Sequence, residues 1–223
     1  MIGAVWAAVP VKGFAGAKQR LAPALTPPQR QALARAMLTD VLAALAAAPL
    51  AGILVCTEDA EAAALARAYG AEVTSDGASA GHTGAVMAMG RWLRARGLGA
   101  MLTVPGDIPR VTAAEIAALI AAAAPAPSFT IAPSRDRLGS NAILLAPENA
   151  VPLRFGDDSF YPHLAAARTA GIAPVVVPLA GIGLDIDTPN DLAALRALPA
   201  RAGGLTEAVL AGLAPSVTTG MTR

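Results

Sequence analysis

The segment Thr103-Val104-Pro105-Gly106-Asp107-Ile108-Pro109 ends an apolar run that begins at Ala100. A run of this length and composition is typical of a buried strand, and Pro105 and Gly106 stop it. Asp107 is therefore expected at the C-terminal tip of the strand, which is where open α/β sheets bind their ligands. A carboxylate in that position can hold a divalent cation, or it can merely stabilise a turn. The segment by itself is consistent with both roles.

A second acidic segment, Leu184-Asp185-Ile186-Asp187-Thr188-Pro189, comes much later in the chain. Alternation along an extended backbone places Asp185 and Asp187 on the same side. Two carboxylates on one face, with no Lys or Arg near them in sequence, repel each other unless a cation neutralises them. The alternative is that one carboxylate caps the following helix while the other is solvated. The electrostatic cost of the pair favours a metal site.

A basic loop containing glycines follows the first predicted strand. Between Val11 and Leu21 it carries Lys12, Lys18 and Arg20 together with two glycines. Glycines let the backbone approach a phosphate, which exposed N–H groups and cationic side chains can then bind. The spacing is not that of a Walker A loop. The loop is thus either an anion site of another kind or a solvated basic surface.

Apolar runs and helical patterns alternate along the rest of the chain. Strands are predicted at residues 2–10, 53–57, 72–74, 100–104, 128–132, 142–145 and 172–178, and helices at 26–48, 58–69, 85–96, 112–124, 159–170 and 189–198. This alternation favours a three-layer α/β fold. The short link between the strands at 128–132 and 142–145 indicates a hairpin, so we expect a mixed, mostly parallel central sheet.

Length and composition narrow the class of protein. The 223 residues suit a single domain, predicted at 1–200, followed by a tail at 201–223 with helical turns at 205–213 and disordered last residues. The net charge of +1 gives no electrostatic reason to expect nucleic-acid or membrane partners. The single Cys56 suits a reducing compartment. No basic region precedes the apolar N-terminus, and prolines interrupt the long uncharged runs, so we expect a cytoplasmic protein.

Three further segments are candidates for ligand contacts. Gly81-His82-Thr83-Gly84 joins a glycine-rich loop to a helix, where N-terminal amides can face a ligand. We expect His82 to cap or pack rather than to bind metal, because no other His or Cys lies near it in sequence. Ser140-Asn141 precedes a strand, and the polar loop at 154–160 leads into a helix for which Ser159 is the predicted N-cap.

These motifs together resemble the family of 2-phospho-L-lactate guanylyltransferases of coenzyme F420 biosynthesis, which includes enzymes that act on phosphoenolpyruvate or 3-phosphoglycerate. The matching segments follow the family's order over nearly the whole chain: Val9-Pro10-Val11-Lys12, Ala17-Lys18-Gln19-Arg20-Leu21, Val104-Pro105-Gly106-Asp107-Ile108-Pro109, Ser140-Asn141-Ala142, Arg154-Phe155-Gly156 with Ser159-Phe160, and Leu184-Asp185-Ile186-Asp187-Thr188-Pro189. The resemblance implies a Rossmann-like fold of the nucleotide-diphospho-sugar transferase type. It also implies transfer of GMP from GTP to the phosphate of a three-carbon phospho-acid, with release of pyrophosphate.

The resemblance further implies a role for each candidate residue. The residues implied to bind the nucleotide are Lys12, Lys18, Arg20, Gly81, Thr83, Pro105 and Gly106. Asp107, Asp185 and Asp187 would hold Mg²⁺ and, with Lys18, form the catalytic set. Ser140, Gly156 and Ser159 would contact the phospho-acid. The implied partners are GTP and the acid, and whether the chain forms a homodimer is left open.

Two positions depart from the family's pattern, and two other functions stay open. Ser140 stands where Thr is frequent, which keeps the hydroxyl, and Gly81-His82-Thr83 replaces a Gly-Leu-Asn type segment, which affects ribose or base contacts. One alternative is a related transferase of the molybdenum-cofactor or sugar-phosphate type, although the Gly-Gly-rich first loop of the molybdenum-cofactor enzymes is absent. The other is a non-catalytic nucleotide-binding protein on the same fold, against which the three retained aspartates argue.

Overall fold

The structure, a computed structural model, describes residues 2–156 and 158–213 of the chain. The strands in this part are β1 (Val5–Pro10), β2 (Gly52–Cys56), β3 (Glu72–Thr74), β4 (Ala100–Thr103), β5 (Ser128–Pro133), β6 (Ser140–Ala146) and β7 (Val175–Val176). The α-helices are α1 (Pro27–Ala46), α2 (Ala60–Ala68), α3 (Gly81–Arg94), α4 (Ala113–Ala121), α5 (Phe160–Thr169), α6 (Pro189–Arg196) and α7 (Leu205–Gly212). The disorder predicted for the last residues falls on positions outside the described ranges.

The strands form one mixed sheet in the order β3-β2-β1-β4-β6-β5-β7. Neighbours from β3 to β4 are parallel, whereas β6 runs antiparallel to both β4 and β5. The predicted hairpin and mixed sheet are therefore confirmed. Because β6 is reversed, its first residues lie at the same edge of the sheet as the carboxyl ends of β1 and β4. This reversal brings segments that are distant in sequence to one edge.

Apolar side chains cover both faces of the sheet and create two core layers. In β4, Leu102 packs into the layer beneath α1 and α4, whereas its neighbour Met101 packs into the layer beneath α3 and α5. Successive side chains on a strand point to opposite faces, so a continuous apolar strand requires helices on both sides. The three-layer α/β arrangement predicted from the sequence is confirmed.

Helix boundaries follow capping chemistry, with one correction. At α4, Glu115 N–H donates to Thr112 Oγ1 at 3.1 Å, and Glu115 Oε2 accepts from Thr112 N–H at 3.2 Å, as the capping box predicts. Helix α3 begins at Gly81 rather than at residue 85. The reason is a 3₁₀ turn at Ala78–Ala80 that runs directly into the helix. The glycine-containing segment is thus the first turn of α3.

The edge strand β7 is shorter than predicted. The pattern predicts a strand over residues 172–178, but only Val175–Val176 form it. Pro174 and Pro178 lie on either side of this pair and cannot donate a backbone hydrogen bond to a neighbouring strand. The sheet therefore ends in a two-residue strand at this side.

The helical turns predicted at 205–213 form α7, which packs on α1. Asp40 of α1 is buried, and its carboxylate accepts from the backbone N–H groups of Leu205 and Thr206, each at 2.9 Å. A carboxylate at a helix N-terminus satisfies unpaired amides and opposes the helix dipole. Asp40 therefore fixes the start of α7. Over the described ranges, no helix combines the length and apolar character that crossing a bilayer demands.

Candidate active site

Two adjoining cavities open at the sheet edge where β1 and β4 end and β6 begins. The loop cavity, of about 570 Å³, is bordered by the basic loop at residues 11–20. The serine cavity, of about 960 Å³, is bordered by Ser140 and the polar loop before α5. Every candidate residue from the sequence lines at least one of them. Lys18 and Gly106 line the loop cavity alone, whereas Thr83, Ser140, Gly156, Ser159 and Asp185 line the serine cavity alone.

The two cavities share a wall that contains both acidic segments. Candidate residues present in both linings are Lys12, Arg20, Gly81, Pro105, Asp107 and Asp187. Asp107 follows β4, and Ile186 N–H donates to the carbonyl of Asp107 at 3.1 Å, which ties the two acidic segments together through the backbone. The wall therefore presents carboxylates to both cavities at once.

Lys18 links the carboxylates of this wall. Its Nζ donates to Asp107 Oδ2 and, at 2.7 Å, to Asp187 Oδ1. Burial lowers the pKa of Lys18, but the charges of Asp107 and Asp187 outweigh this effect, so the pKa lies above its usual value. The backbone of Lys18 is left-handed, with φ of 54°, which costs free energy for a residue with a Cβ. The strained backbone thus belongs to the residue that bridges the two carboxylates of the shared wall.

Asp185 is held apart from the other two aspartates. Its Oδ1 accepts from Asn141 Nδ2 at 2.9 Å, and Asn141 also donates to the carbonyl of Ile182. Burial, followed by the charges of Asp107 and Asp187, raises the pKa of Asp185, while the Asn141 hydrogen bond opposes the rise. Asp185 is thus oriented by the first residues of β6.

The expected convergence of three carboxylates on one point is not seen in the structure. Within residues 2–156 and 158–213, no three side chains of His, Cys, Asp or Glu are grouped as a metal site. The physical reason is that the Lys18 ammonium lies between Asp107 and Asp187, and Asn141 orients Asp185 separately. The donor set nevertheless suits a hard cation. Asp107 Oδ1 is buried and has no hydrogen-bond partner, and carboxylate oxygens are the ligands that Mg²⁺ prefers.

The basic loop is anchored by Asp59, which no sequence motif singled out. Asp59 Oδ1 caps α2 by accepting from Glu61 and Ala62 N–H, while its Oδ2 accepts from Phe14 N–H at 3.0 Å. A Cβ at Gly13 would lie 2.8 Å from Asp59 Oδ2, so the glycine permits this approach. The backbone N–H donors, that of Ala62 first, lower the pKa of Asp59. An Asp at a helix N-terminus signals a cap, but its second partner is 45 residues away.

His82 packs in the wall of the serine cavity. Its ring centroid lies 4.4 Å from that of Phe155. Burial lowers the pKa of His82; the charge of Asp107 opposes this and that of Lys12 adds to it. Thr83, which the resemblance implies for the nucleotide, lines the serine cavity, and its Oγ1 accepts from Phe155 N–H at 3.0 Å. The first turn of α3 therefore supports the loop at 154–156.

Ser140 and Ser159 line the serine cavity and form a hydrogen-bonded cluster with His163, which is buried behind them. Ser159 precedes α5 but does not cap it with its side chain. Its Oγ instead accepts from Ser140 N–H at 3.1 Å and donates to Ser140 Oγ at 3.2 Å. His163 was not predicted as a site residue. It lies one helical turn after Ser159, on the same face, and its Nδ1 lies 2.9 Å from Ser140 Oγ.

Position 156 does not require a glycine for steric reasons. A Cβ at this position would meet nothing within 4 Å, and the residue lines the serine cavity. The backbone here faces open space.

Comparison with known proteins gives consistent matches over most of the chain. A model of the family described as "Guanylyl transferase CofC like" matches residues 5–197. The phosphoenolpyruvate guanylyltransferase of Rubrobacter xylanophilus is 39% identical over 194 residues, which cover 86% of this chain and 94% of that protein. The 3-phospho-D-glycerate guanylyltransferase of Colwellia psychrerythraea is 35% identical over 191 residues, covering 85% and 90%.

A solved structure supports the architecture. A Desulfovibrio desulfuricans G20 protein of the nucleotide-diphospho-sugar transferase type superposes with a TM-score of 0.72 at 19% identity, covering 93% of this chain and 94% of that one. At this identity the likeness concerns the fold alone, and it agrees with the fold class predicted from the sequence.

Proposed function

Because the chain belongs to the family of CofC-like guanylyl transferases, we propose that it transfers GMP from GTP to the phosphate of a three-carbon phospho-acid, releasing pyrophosphate, in coenzyme F420 biosynthesis. The candidate acceptors are phosphoenolpyruvate, 3-phosphoglycerate and 2-phospho-L-lactate. The observation that carries the proposal is the shared wall of Asp107 and Asp187, which separates the cavity that Lys18 lines from the cavity that Ser140 and Ser159 line. A transfer between two anions requires such a pair of adjoining sites.

GTP is proposed to occupy the loop cavity. Lys12, Lys18 and Arg20 border it together with the glycine-containing backbone of the basic loop. Cationic side chains and exposed backbone N–H groups bind phosphate oxygens. The anchoring of the loop through Asp59 and Phe14 N–H keeps these groups in place without contribution from a ligand. Nucleotide binding then needs little reordering of the loop.

The acid is proposed to occupy the serine cavity, against Ser140, Gly156 and Ser159. The Ser140 hydroxyl and the open backbone at Gly156 suit the oxygens of a phosphate or carboxylate, and Ser159 lies beside them. The named relatives act on small phospho-acids, which supports an acceptor of this size. The phosphate of the acid would then face Asp107 and Asp187 from the side opposite the nucleotide.

The chemistry requires positioning rather than a covalent intermediate on the protein. A phosphate oxygen of the acid attacks the α-phosphorus of GTP, a new P–O bond forms, and the bond to the bridging oxygen of pyrophosphate breaks. A phosphate monoester is already anionic, so no side chain has to remove a proton. The residues of the two cavities align the reactants and offset their charge. Lys18 at the boundary provides a cation that both Asp side chains keep protonated.

Mg²⁺ is proposed as the metal. Asp107 and Asp187 would hold it, with Asp185 beside them, since the unpartnered Asp107 Oδ1 fits a hard cation. When bound, the ion would neutralise phosphate charge near the reacting atoms. Lys18 then has to exchange at least one of its carboxylate partners for a phosphate oxygen.

The test is a pyrophosphate-release assay with GTP, Mg²⁺ and each candidate acid in turn. We expect release with at least one acid, and little with CTP in place of GTP. Mass spectrometry should detect the GMP–acid adduct in the same reaction. Pyrophosphate release that is independent of the acid, or release with none of the three acids, would reject the proposed acceptor class.

A further inference from the structure

The hydrogen bonds around His163 define which ring nitrogen carries its proton. Nε2 lies 3.0 Å from the backbone N of Arg154, which can only donate. A ring nitrogen that accepts a hydrogen bond is unprotonated, so the proton of a neutral imidazole lies on Nδ1. The side chain is buried, with 1% of its surface exposed. Burial, and secondarily the charge of His82, lower the pKa of His163 to about 4, which agrees with a neutral ring near pH 7.

This tautomer determines the hydrogen bonds of Ser140. Since Nδ1 carries the proton, it donates to Ser140 Oγ across 2.9 Å. Ser159 Oγ–H donates to the same oxygen at 3.2 Å, and one lone pair of Ser159 Oγ accepts from Ser140 N–H. A hydroxyl oxygen has two lone pairs and one hydrogen. Both lone pairs of Ser140 Oγ are therefore occupied, and only its hydrogen is free for a ligand.

We propose that His163 is a positioning residue that makes Ser140 an obligate hydrogen-bond donor toward the serine cavity. The ligand group that such a donor selects is an oxygen that only accepts hydrogen bonds, as in a phosphate or carboxylate. This proposal rests on the proposed function, whose acceptor acid is the ligand. A hydroxyl with free lone pairs could also accept a hydrogen bond, and it would not discriminate in this way. The arrangement adds an uncharged anion-selecting group to a cavity that Lys12 and Arg20 also line.

Replacement of His163 separates positioning from mere packing. His163→Leu removes both hydrogen bonds of the ring, whereas the amide nitrogen of His163→Asn can stand in for Nδ1 and keep the bond to Ser140. We expect the Leu variant to raise the KM for the acid about tenfold, the factor that one lost hydrogen bond gives. The KM for GTP should stay within about twofold. The Asn variant should recover most of the acid affinity.

A double-variant cycle identifies Ser140 as the residue through which His163 acts. Ser140→Thr keeps the hydroxyl and is the matched control for Ser140→Ala. If the inference holds, adding His163→Leu to Ser140→Ala causes no further rise in the KM for the acid, because the hydroxyl it orients is already gone. Additive effects, or equal rises in the KM for GTP and for the acid, would overturn it.

The tautomer can also be observed without any turnover. The chain has two histidines, so a long-range ¹H–¹⁵N correlation spectrum of the wild-type protein, assigned with His163→Asn, should show Nδ1 protonated and Nε2 unprotonated. A protonated Nε2 overturns the inference, whatever the assays give. If the wild-type protein uses none of the acids, the proposed acceptor fails, and the spectrum still decides whether His163 donates to Ser140.

Discussion

The two cavities of the candidate site are built on different physical principles. In the loop cavity the ligand-facing groups are ions: Lys18 is paired with Asp107 and Asp187, and Asp59 holds the loop through its own charge. At the serine cavity Ser140, Ser159 and the buried His163 behind them are uncharged and are linked by hydrogen bonds. Lys12 and Arg20 line both cavities, whereas Lys18 lines the loop cavity alone, so salt should screen the contribution of Lys18 on that side only. The contrast shows two ways to bind a phosphorylated molecule within one site.

The largest effect is expected at the wall that both cavities share. Asp107→Asn should lower kcat for pyrophosphate release by about a thousandfold, because it removes a carboxylate proposed to hold the Mg²⁺ that neutralises the reacting phosphates. Asp187→Asn should act similarly, since Lys18 bridges the two carboxylates. Steady-state assays measure the loss, and thermal unfolding checks the fold.

Glu72→Gln is the matched control, because Glu72 is an exposed carboxylate on β3 that lines neither cavity. It should retain wild-type rates. A double variant of Asp107 and Asp187 that still shows substantial Mg²⁺-dependent turnover would contradict the proposed roles of these residues.

The stability of the protein should depend on pH through the buried His163 next to the serine cavity. Burial and the charge of His82 lower the pKa of His163 to about 4, whereas a histidine in the unfolded chain titrates near about 6.5. As pH falls from about 6.5 to 4, the unfolded state binds the proton first. The free energy of unfolding should thus fall by up to about 3 kcal/mol from this group, and above about pH 6.5 its contribution is constant.

Denaturant unfolding at a series of pH values measures this loss. His82, whose pKa is also lowered, acts in the same direction, and Asp185, whose pKa is raised, acts in the opposite one. Both are present in His163→Asn, so the difference between the two proteins isolates His163. Equal pH slopes for both proteins would show that His163 is not held neutral.

A smaller effect is expected from the charge of Lys18. Lys18→Ala should weaken GTP binding by about tenfold or more, since it removes a cation that interacts with phosphates. Binding of the acid should change less. Calorimetry with each ligand at two salt concentrations measures both, and the variant should show a shallower salt dependence for GTP than the wild type. Unchanged GTP affinity would make the basic loop a solvated surface.

The smallest effects are expected from two glycines, one in each cavity. Gly13→Ala places a Cβ 2.8 Å from Asp59 Oδ2, so the loop must shift. We expect the KM for GTP to rise about threefold with little change for the acid. Gly156→Ala places a Cβ in open cavity space and should affect the KM for the acid alone. If each substitution changed both constants equally, the cavities would not bind separate substrates.

The sheet and the acidic wall could be predicted because their signals are local. An apolar run ending at Pro105 and Gly106 indicates a strand with Asp107 beyond its end, where the structure has it. The confirmed hairpin follows from the short link between β5 and β6. These inferences depend only on neighbours in sequence.

What could not be predicted depends on contacts between distant residues. Lys18 contacts residues that are 89 and 169 positions away in sequence. Its left-handed backbone could not be predicted either, because lysine rarely adopts that conformation. Ser159 was expected to cap α5, yet its hydroxyl bonds to Ser140, 19 positions earlier. To predict the role of His163, one would have had to know that β6 is reversed and starts beside α5. Local propensity predicts the elements, whereas tertiary packing decides what each polar group bonds to.

Both outer strands of the sheet are short, and this bears on self-association. In the described part of the chain, β3 has 3 residues and carries the exposed Glu72, and β7 has 2 residues between prolines. An edge strand recruits another chain through a row of free backbone groups. Edges this short offer few such groups, and charge or proline blocks continuation. Two copies joining through these described edges would gain little cross-strand pairing, so a dimer would have to meet through helices or loops.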